Sequence, residues 1–186
     1  MADIYLALLH YPVYDKDHKV VTTSITNMDI HDIARSARTY GVKRYFVVTP
    51  VRTLRVLAEK ILDHWERGYG SVYNETRKDA LSLVSLTNDL DSTIQMVQEE
   101  AGEAPHIITT SARAGTRRVS FTAMRKKVEE AGPPLLFLLG TGWGLTEEVL
   151  TRSDHILEPI RGVDTYNHLS VRAAAAILLD RLRGAR

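Results

Sequence analysis

Short apolar runs alternate along the chain with longer stretches in which apolar residues recur every three or four positions. The short runs predict strands at residues 4–9, 44–49, 81–86, 106–110, 135–139 and 155–157. Most of these runs are apolar at nearly every position, which is typical of strands in a sheet covered on both faces. The longer stretches predict amphipathic helices at residues 29–40, 50–67, 89–101, 120–131 and 170–182.

Strands and helices alternate with short connections over the whole sequence. This order predicts one α/β domain, residues 1–186, with a mostly parallel sheet and helices on both faces. Two longer segments, residues 10–27 and 68–79, are predicted to be loops. Loops of this length in compact domains are more often functional than idle.

The composition excludes several classes of chemistry. The 186 residues contain no cysteine, which excludes disulfides, thiolate metal sites and a cysteine nucleophile. The seven histidines show neither HxH nor HExxH spacing, so no metal site is predicted. No run reaches the ~20 apolar residues that a membrane helix needs. The run at 4–9 lacks the flanks of a signal peptide, and we therefore expect a soluble, cytoplasmic protein.

The glycine-rich segment 135–145, LLFLLGTGWGL, is a candidate ligand site. An apolar strand runs into Gly140, Gly142 and Gly144 just before a predicted helix. Glycines at such a turn let the backbone approach a ligand closely. The pattern is not GxGxxG, because Leu145 stands where the third glycine is required. The glycines alone therefore leave a ligand site and a plain tight turn both open.

Two further segments combine polar residues with helix ends. In residues 156–182 a short strand and a polar Asp-Thr-Tyr-Asn-His run precede an alanine-rich helix, with Thr165 or Asn167 as its predicted N-cap. In residues 29–41, DIHDIARSARTYG, Arg35 and Arg38 lie on a helix whose other positions are apolar. The first segment is also explained by a helix packed on its own sheet. The second is also explained by arginines exposed to solvent, which is the usual place of a lone arginine.

The even charge balance, 24 basic and 23 acidic side chains, conceals a basic segment. No acidic residue occurs between Glu103 and Glu129, whereas six basic residues do: Arg113, Arg117, Arg118, Arg125, Lys126 and Lys127. Such a segment suits a phosphate backbone, although a run of like charges is often only a solvated face.

Segments 29–41, 135–145 and 156–182 together resemble the signatures of the SPOUT, or α/β-knot, superfamily of RNA methyltransferases. The first signature, N-x5-R-x5-G, is matched by Arg35 and Gly41, with Asp29 in place of the asparagine. The second, G-x-E-x-x-G-L after an apolar strand, is one residue shorter here and lacks the glutamate. The third, S-L-N-x-S-V-A, reads YNHLSVR from Tyr166 to Arg172. The GTGWGL and YNHLSVR motifs are similar to those of the bacterial tRNA (guanine-N1) methyltransferase-like group.

The resemblance implies a C-terminal deep trefoil knot whose three loops bind S-adenosylmethionine. It also implies a homodimer formed through the C-terminal helix and the first-signature helix, in which each site borrows residues from both chains. By position, the implied cofactor-binding residues are Leu139, Gly140, Thr141, Gly142, Trp143, Leu157, Glu158, Pro159, Ile160, Tyr166, Asn167, His168, Leu169, Ser170 and Val171.

The implied reaction is direct methyl transfer to a base nitrogen or a ribose hydroxyl of tRNA or rRNA. Arg35 inherits the role of activating or positioning the acceptor, His168 is the first candidate for the general base and Asp164 the second. The expected RNA contacts are Arg38, Tyr69, Arg77, Arg113, Arg117, Arg118, Arg125 and Lys126. Since the second signature lacks its glutamate, a knot-fold protein that only binds the cofactor or RNA is the alternative.

Overall fold

The computed structural model describes residues 1–113, 115–116 and 118–185. Its elements in chain order are β1 (Ile4–Leu9), β2 (Val13–Tyr14), β3 (Val20–Val21), α1 (Asn27–Thr39), β4 (Arg44–Val48), α2 (Arg52–Glu66), α3 (Gly70–Tyr73), α4 (Glu75–Leu81), β5 (Val84–Thr87), α5 (Leu90–Ala101), β6 (His106–Thr109), β7 (Arg118–Val119), α6 (Phe121–Glu129), β8 (Leu135–Gly140), α7 (Glu147–Thr151), β9 (His155–Leu157) and α8 (Val171–Arg183).

Within the described residues, seven strands form one sheet in the order β5-β4-β1-β8-β6-β9-β7. Every pair of neighbours in this sheet is parallel. Strand β1 lies between β4 and β8, and its last residue, Leu9, is level with Val48 and Gly140. All six residues of β1 are buried, which explains its continuous apolar run. The prediction of a parallel α/β sheet is confirmed.

Helices cover both faces of the sheet, as predicted. Ile4, Leu6 and Leu8 pack into a core with residues of α1, α2, α4, α6 and α8. The alternate residues of β1, together with β4 and β8, form a second core with α5 and α7. Helix α1 shows why these segments fold: Ile30 and Ile33, on the predicted stripe, are fully buried, and each such side chain contributes about 1.5–3 kcal/mol.

The two predicted loops contain regular structure. Segment 68–79 is helical over α3 and most of α4, so the loop prediction is wrong there. Tertiary packing explains the difference: a Cβ added to Gly70 would lie 2.7 Å from Trp65 Cε3, so α3 sits directly on that indole. The Asn74 side chain then caps α4 by accepting from the Arg77 amide. Since α4 runs to Leu81, β5 begins at Val84 rather than at residue 81. In the other segment, β2 and β3 form an antiparallel pair.

The N-cap of α8 also differs from the prediction. Ser170 is the cap, and its hydroxyl accepts from the Ala173 amide at 3.2 Å. Thr165 and Asn167 lie before the helix, in a segment without regular structure. Serine is among the preferred N-cap residues, and its position directly before the helix decides the choice.

Candidate functional site

A cavity of about 800 Å³ opens at the carboxyl ends of β1, β6, β8 and β9. Ligands of open parallel sheets bind at this edge, because the loops that follow neighbouring strands converge there. The volume lies within the range of about 300–1,000 Å³ that is usual for small-molecule sites. The cavity is therefore the candidate functional site.

The three segments implied as cofactor loops meet on the wall of this cavity. The lining includes thirteen of the fifteen predicted residues: Leu139, Gly140, Thr141, Gly142, Trp143, Leu157, Glu158, Ile160, Asn167, His168, Leu169, Ser170 and Val171. The two others lie off the wall: Pro159 is buried, and the Tyr166 side chain is 69% exposed. The order of the strands explains the convergence, since β8 and β9 both neighbour β6.

The loop after β6, the segments after β1 and β3 and the first turn of α1 complete the wall. The sequence analysis did not assign them to the cofactor site, although it marked residues 10–27 as a longer loop and Arg113 as an RNA contact. They contribute His18, Thr23, Ser24, Asp29, Thr110, Ser111, Ala112 and Arg113. The floor is apolar, with Phe121, Ala174 and Leu178 beside the leucines of β8 and β9. Because β1 and β6 flank β8, the residues that follow their carboxyl ends were the signal that could have found this part of the wall.

A chain of hydrogen bonds fixes the loop after β8. The Thr141 hydroxyl donates to the Leu9 carbonyl at 3.1 Å and lies 2.5 Å from Thr23 Oγ1, which in turn lies 3.1 Å from His10 Nδ1. One direction uses each hydrogen once: His10 Nδ1–H to Thr23, Thr23 to Thr141, and Thr141 to Leu9. Burial lowers the pKa of His10 to about 4, so near neutral pH the ring is uncharged and carries its one hydrogen on Nδ1.

The other two cofactor segments are anchored to the elements beside them. Glu158 Oε1 accepts from the Phe121 amide at 2.7 Å, and so holds the segment after β9 against the start of α6. Asn167 Nδ2 donates to the Ala112 carbonyl at 2.6 Å. Arg113 donates to the Trp143 carbonyl at 3.4 Å. These contacts tie the segment before α8 and the loop after β8 to the same loop, the one after β6.

Of the three predicted catalytic residues, only His168 lines the cavity. Its ring lies 5.4 Å from the Tyr166 ring, in an edge-on arrangement. Asp164 is exposed and off the wall, and its Oδ1 accepts from the Tyr166 amide at 2.9 Å. Arg35 is exposed on α1, also away from the wall of its own chain. Asp29 is a buried carboxylate on the wall to which the sequence analysis gave no chemical role.

The predicted RNA-binding residues are dispersed, and several already have partners within the chain. Arg38 forms an ion pair with Asp79 at 2.7 Å, and the Arg77 guanidinium lies 4.9 Å above the Trp65 ring. Arg125 contacts Glu129 and the carbonyls of Arg181 and Gly184, so it secures the end of α8. Each of these three arginines thus has a role in packing, and RNA binding by them stays a prediction.

Tyr69, Arg113 and Lys126 are exposed, whereas Arg118 is half-buried. The rings of Tyr69 and Tyr73 stack at 5.9 Å, and the side chains are 76% and 73% exposed. Lys126 is exposed on α6, and Arg113 lies at the cavity. Arg118 donates to the Arg113 carbonyl at 3.3 Å. Arg117 lies outside the described residues.

In the part of the chain that the structure describes, no helix is both long and apolar enough to span a membrane. No group of three or more histidine, aspartate or glutamate side chains in ranges 1–113, 115–116 and 118–185 is arranged to hold a metal ion.

Comparison with known proteins identifies the family of this chain. Residues 3–184 match the model of a family described as SAM-dependent RNA methyltransferases. An uncharacterized protein of Aquifex aeolicus is 39% identical over 180 residues, which cover 97% of this chain and 88% of that protein. A tRNA (guanine-N(1)-)-methyltransferase of Oleidesulfovibrio alaskensis is 44% identical over 182 residues, 98% of this chain. The chain spans only 42% of that longer relative.

Solved structures share the fold at low sequence identity. A methylase family protein from Neisseria gonorrhoeae has a TM-score of 0.64 at 16% identity, over 97% of this chain and 81% of that one. An AdoMet-bound rRNA methyltransferase from Sinorhizobium meliloti has a TM-score of 0.58 at 13% identity, over 97% and 56%. The family match over residues 3–184 decides the assignment: this chain belongs to the SAM-dependent RNA methyltransferase family.

Proposed function

We propose that this protein methylates tRNA as a homodimer, with S-adenosylmethionine bound in the cavity at the carboxyl ends of β1, β6, β8 and β9. The observation that carries the proposal is the convergence of the three implied cofactor loops on one cavity of about 800 Å³. The relatives named tRNA (guanine-N(1)-)-methyltransferase support tRNA as the substrate. The acceptor is a base nitrogen or a ribose hydroxyl.

The residues of the cavity fit the cofactor. Its apolar floor, with Phe121, Leu139 and Leu157, suits a flat purine ring, and its rim offers hydroxyls to a ribose. Gly142 and Gly144 adopt positive φ angles of 57° and 103°, so the loop after β8 turns with bare backbone toward the cavity. When bound, the cofactor supplies a methyl group activated by its sulfonium.

The chain's own contribution is to align the acceptor and to accept its proton. Methyl transfer is an in-line displacement, so the segments that hold donor and acceptor in place supply much of the rate enhancement. His168 lines the cavity, and an imidazole nitrogen can accept a proton, which favours it as the base. Asp164 is less suited, because its carboxylate faces solvent and caps a turn.

The homodimer and the knot belong to the same proposal. Exposed apolar side chains surround the starts of α1 and α8, namely Met28, Val163, Tyr166 and Leu169, and a second copy would cover them. Ala174 and Ala175 face the cavity and the core of their own chain, which leaves Ala173 and Ala176 for a contact with a partner. The trefoil knot is supported by the strand order and by the hydrogen bond from Asn167 to the Ala112 carbonyl, which joins the segment between β9 and α8 to the loop after β6.

Blocking the cavity tests the proposed function. Ala174 lines the cavity from α8, and we expect Ala174→Trp to abolish S-adenosylmethionine binding by calorimetry and transfer of labelled methyl groups to bulk tRNA from a deletion strain. Ala123→Trp, on an exposed position of α6, is the matched control and should bind the cofactor normally. Cofactor binding by the wild type without transfer to tRNA or rRNA would instead favour the binding module.

The exposed tyrosine pair offers a test of RNA recognition. Stacking of a base on an aromatic ring is worth about 1–3 kcal/mol. We therefore expect Tyr69→Ala/Tyr73→Ala to weaken tRNA binding roughly tenfold or more in filter-binding assays, with little change in its salt dependence, since no charge is removed. Tyr69→Phe/Tyr73→Phe keeps both rings and should bind like the wild type. Equal tRNA affinity of the alanine variant would remove this pair from the RNA surface.

A further inference from the structure

An ion pair joins α1, the helix of the first signature, to α8, the helix in which the third signature ends. Arg172 Nη1 donates to Asp29 Oδ1 at 2.9 Å, and Arg172 Nε lies 3.5 Å from Asp32 Oδ2. Asp29 is in the first turn of α1, and Arg172 is in the first turn of α8. Asp29 itself lines the cavity, as do Ser170 and Val171 directly before the arginine. The pair thus lies where α1 and α8 both border the cavity.

Local energetics do not favour either charge on its own. The Asp29 side chain is only 9% exposed, and an unpaired carboxylate buried to this extent is strongly destabilising. Arg172 stands near a helix N-terminus, where the helix dipole disfavours a cation. Each residue also departs from its signature, with aspartate for asparagine and arginine for alanine. The two departures introduce opposite charges that contact each other, so each compensates for the other.

Contacts at both ends hold residues 167–171, which line the cavity. At one end of residues 167–171, Asn167 is held by the Ala112 carbonyl. At the other end, Ser170 caps α8, and Arg172 ties the first turn of that helix to α1. Both anchors lie beside residues that line the cavity. Without the pair, the second end would be held by the helix cap and packing alone.

We propose that Asp29 and Arg172 are a positioning pair that holds segment 167–171 in the arrangement that binds the cofactor. The inference rests on the proposed function, since it takes the cavity as the S-adenosylmethionine site. The pair acts through the segment rather than by touching the cofactor. Loss of the pair should therefore weaken binding of the methyl donor and of the demethylated product, S-adenosylhomocysteine, to the same extent, although only the donor carries a sulfonium.

A double-mutant cycle tests the pair. We expect Asp29→Asn and Arg172→Ala each to weaken binding of both molecules roughly tenfold by calorimetry, because each breaks the contact that ties α8 to α1. The double variant should also bind about tenfold more weakly than the wild type, and not about a hundredfold, because each single substitution already removes the pair. Asp79→Asn is the control and should bind normally, since this exposed carboxylate also pairs with an arginine but does not line the cavity. If Arg172→Ala fails to fold, Arg172→Lys replaces it in the cycle. This variant should weaken binding of both molecules by less than tenfold.

Other outcomes would overturn the inference. Wild-type affinity in both single variants would restrict the pair to a structural role. A loss confined to S-adenosylmethionine, or a loss of about a hundredfold in the double variant, would mean that the two residues act independently and not as a pair. Failure of the wild type to bind S-adenosylmethionine would instead contradict the proposed function, so the two failures are distinguishable.

Discussion

Replacing Arg35 with alanine is expected to reduce methyl transfer to tRNA by a factor of about 10²–10³, while leaving S-adenosylmethionine affinity unchanged. The resemblance gives this arginine the task of positioning the acceptor. Arg35 is exposed on α1 and absent from the cavity wall of its own chain, so its loss should leave the cofactor site intact. Single-turnover transfer of labelled methyl groups and calorimetry measure the two effects separately. Arg52→Ala, an exposed arginine on α2, is the control.

The geometry of α1 indicates in which site Arg35 acts. Asp29, six residues earlier, borders the cavity of its own chain. Six residues advance a helix by about 9 Å and turn it to about 120° from the starting direction, so Arg35 faces away from that cavity. In the proposed homodimer, this side chain is available to the partner's site instead.

Mixed dimers show whether Arg35 acts in the site of its own chain or in that of the partner. Arg35→Ala retains a working cavity, whereas Ala174→Trp retains the arginine. If Arg35 acts in the partner's site, co-refolding equal amounts of the two inactive variants should restore about a quarter of wild-type activity, because half of the dimers carry one complete site of two. If Arg35 acts in its own chain, no activity returns. Recovery of activity would at the same time support the homodimer.

The sequence predicts the sheet well because burial leaves a strong pattern. Strands β1 and β8 are buried on both faces, so nearly every residue must be apolar, and their predicted limits agree with the structure to within one residue. Helix α3 was missed because its four residues carry no apolar period of their own. Their helical conformation depends on contact with Trp65, which is tertiary and cannot be read from the segment alone.

The site was predicted in part, for a related reason. Residues 139–143 and 167–171 were identified because a short motif marks each of them. Thr23, Asp29 and Thr110 have no motif, since they reach the cavity only through the order of the strands, which places β1 and β6 beside β8. Asp29 was noted only as a departure from an asparagine signature, and its charge gains meaning from Arg172, 143 residues away in the sequence.

The buried histidine behind the β8 loop predicts a pH dependence of stability. Burial lowers the pKa of His10 to about 4, whereas a histidine in the unfolded chain titrates near 6.5. Between these values the unfolded chain binds a proton that the folded protein excludes. The stability contributed by neutral His10 is therefore fully present above pH 6.5 and is lost as the pH falls toward 4. The expected loss is about 3 kcal/mol of unfolding free energy at pH 4.

Replacing His10 with asparagine isolates this contribution. An asparagine amide can still donate to Thr23, as His10 Nδ1 does at 3.1 Å, but it does not titrate. Burial also lowers the pKa of His31 and His155, so the wild type and the variant both lose stability in acid. The difference in unfolding free energy between them, from urea titrations at several pH values, should shift by about 3 kcal/mol in favour of the variant between pH 7 and pH 4. His64→Asn, at an exposed position, should give a curve parallel to the wild type. Parallel curves for His10→Asn as well would show that His10 is not desolvated and that burial does not keep its ring neutral in the folded protein.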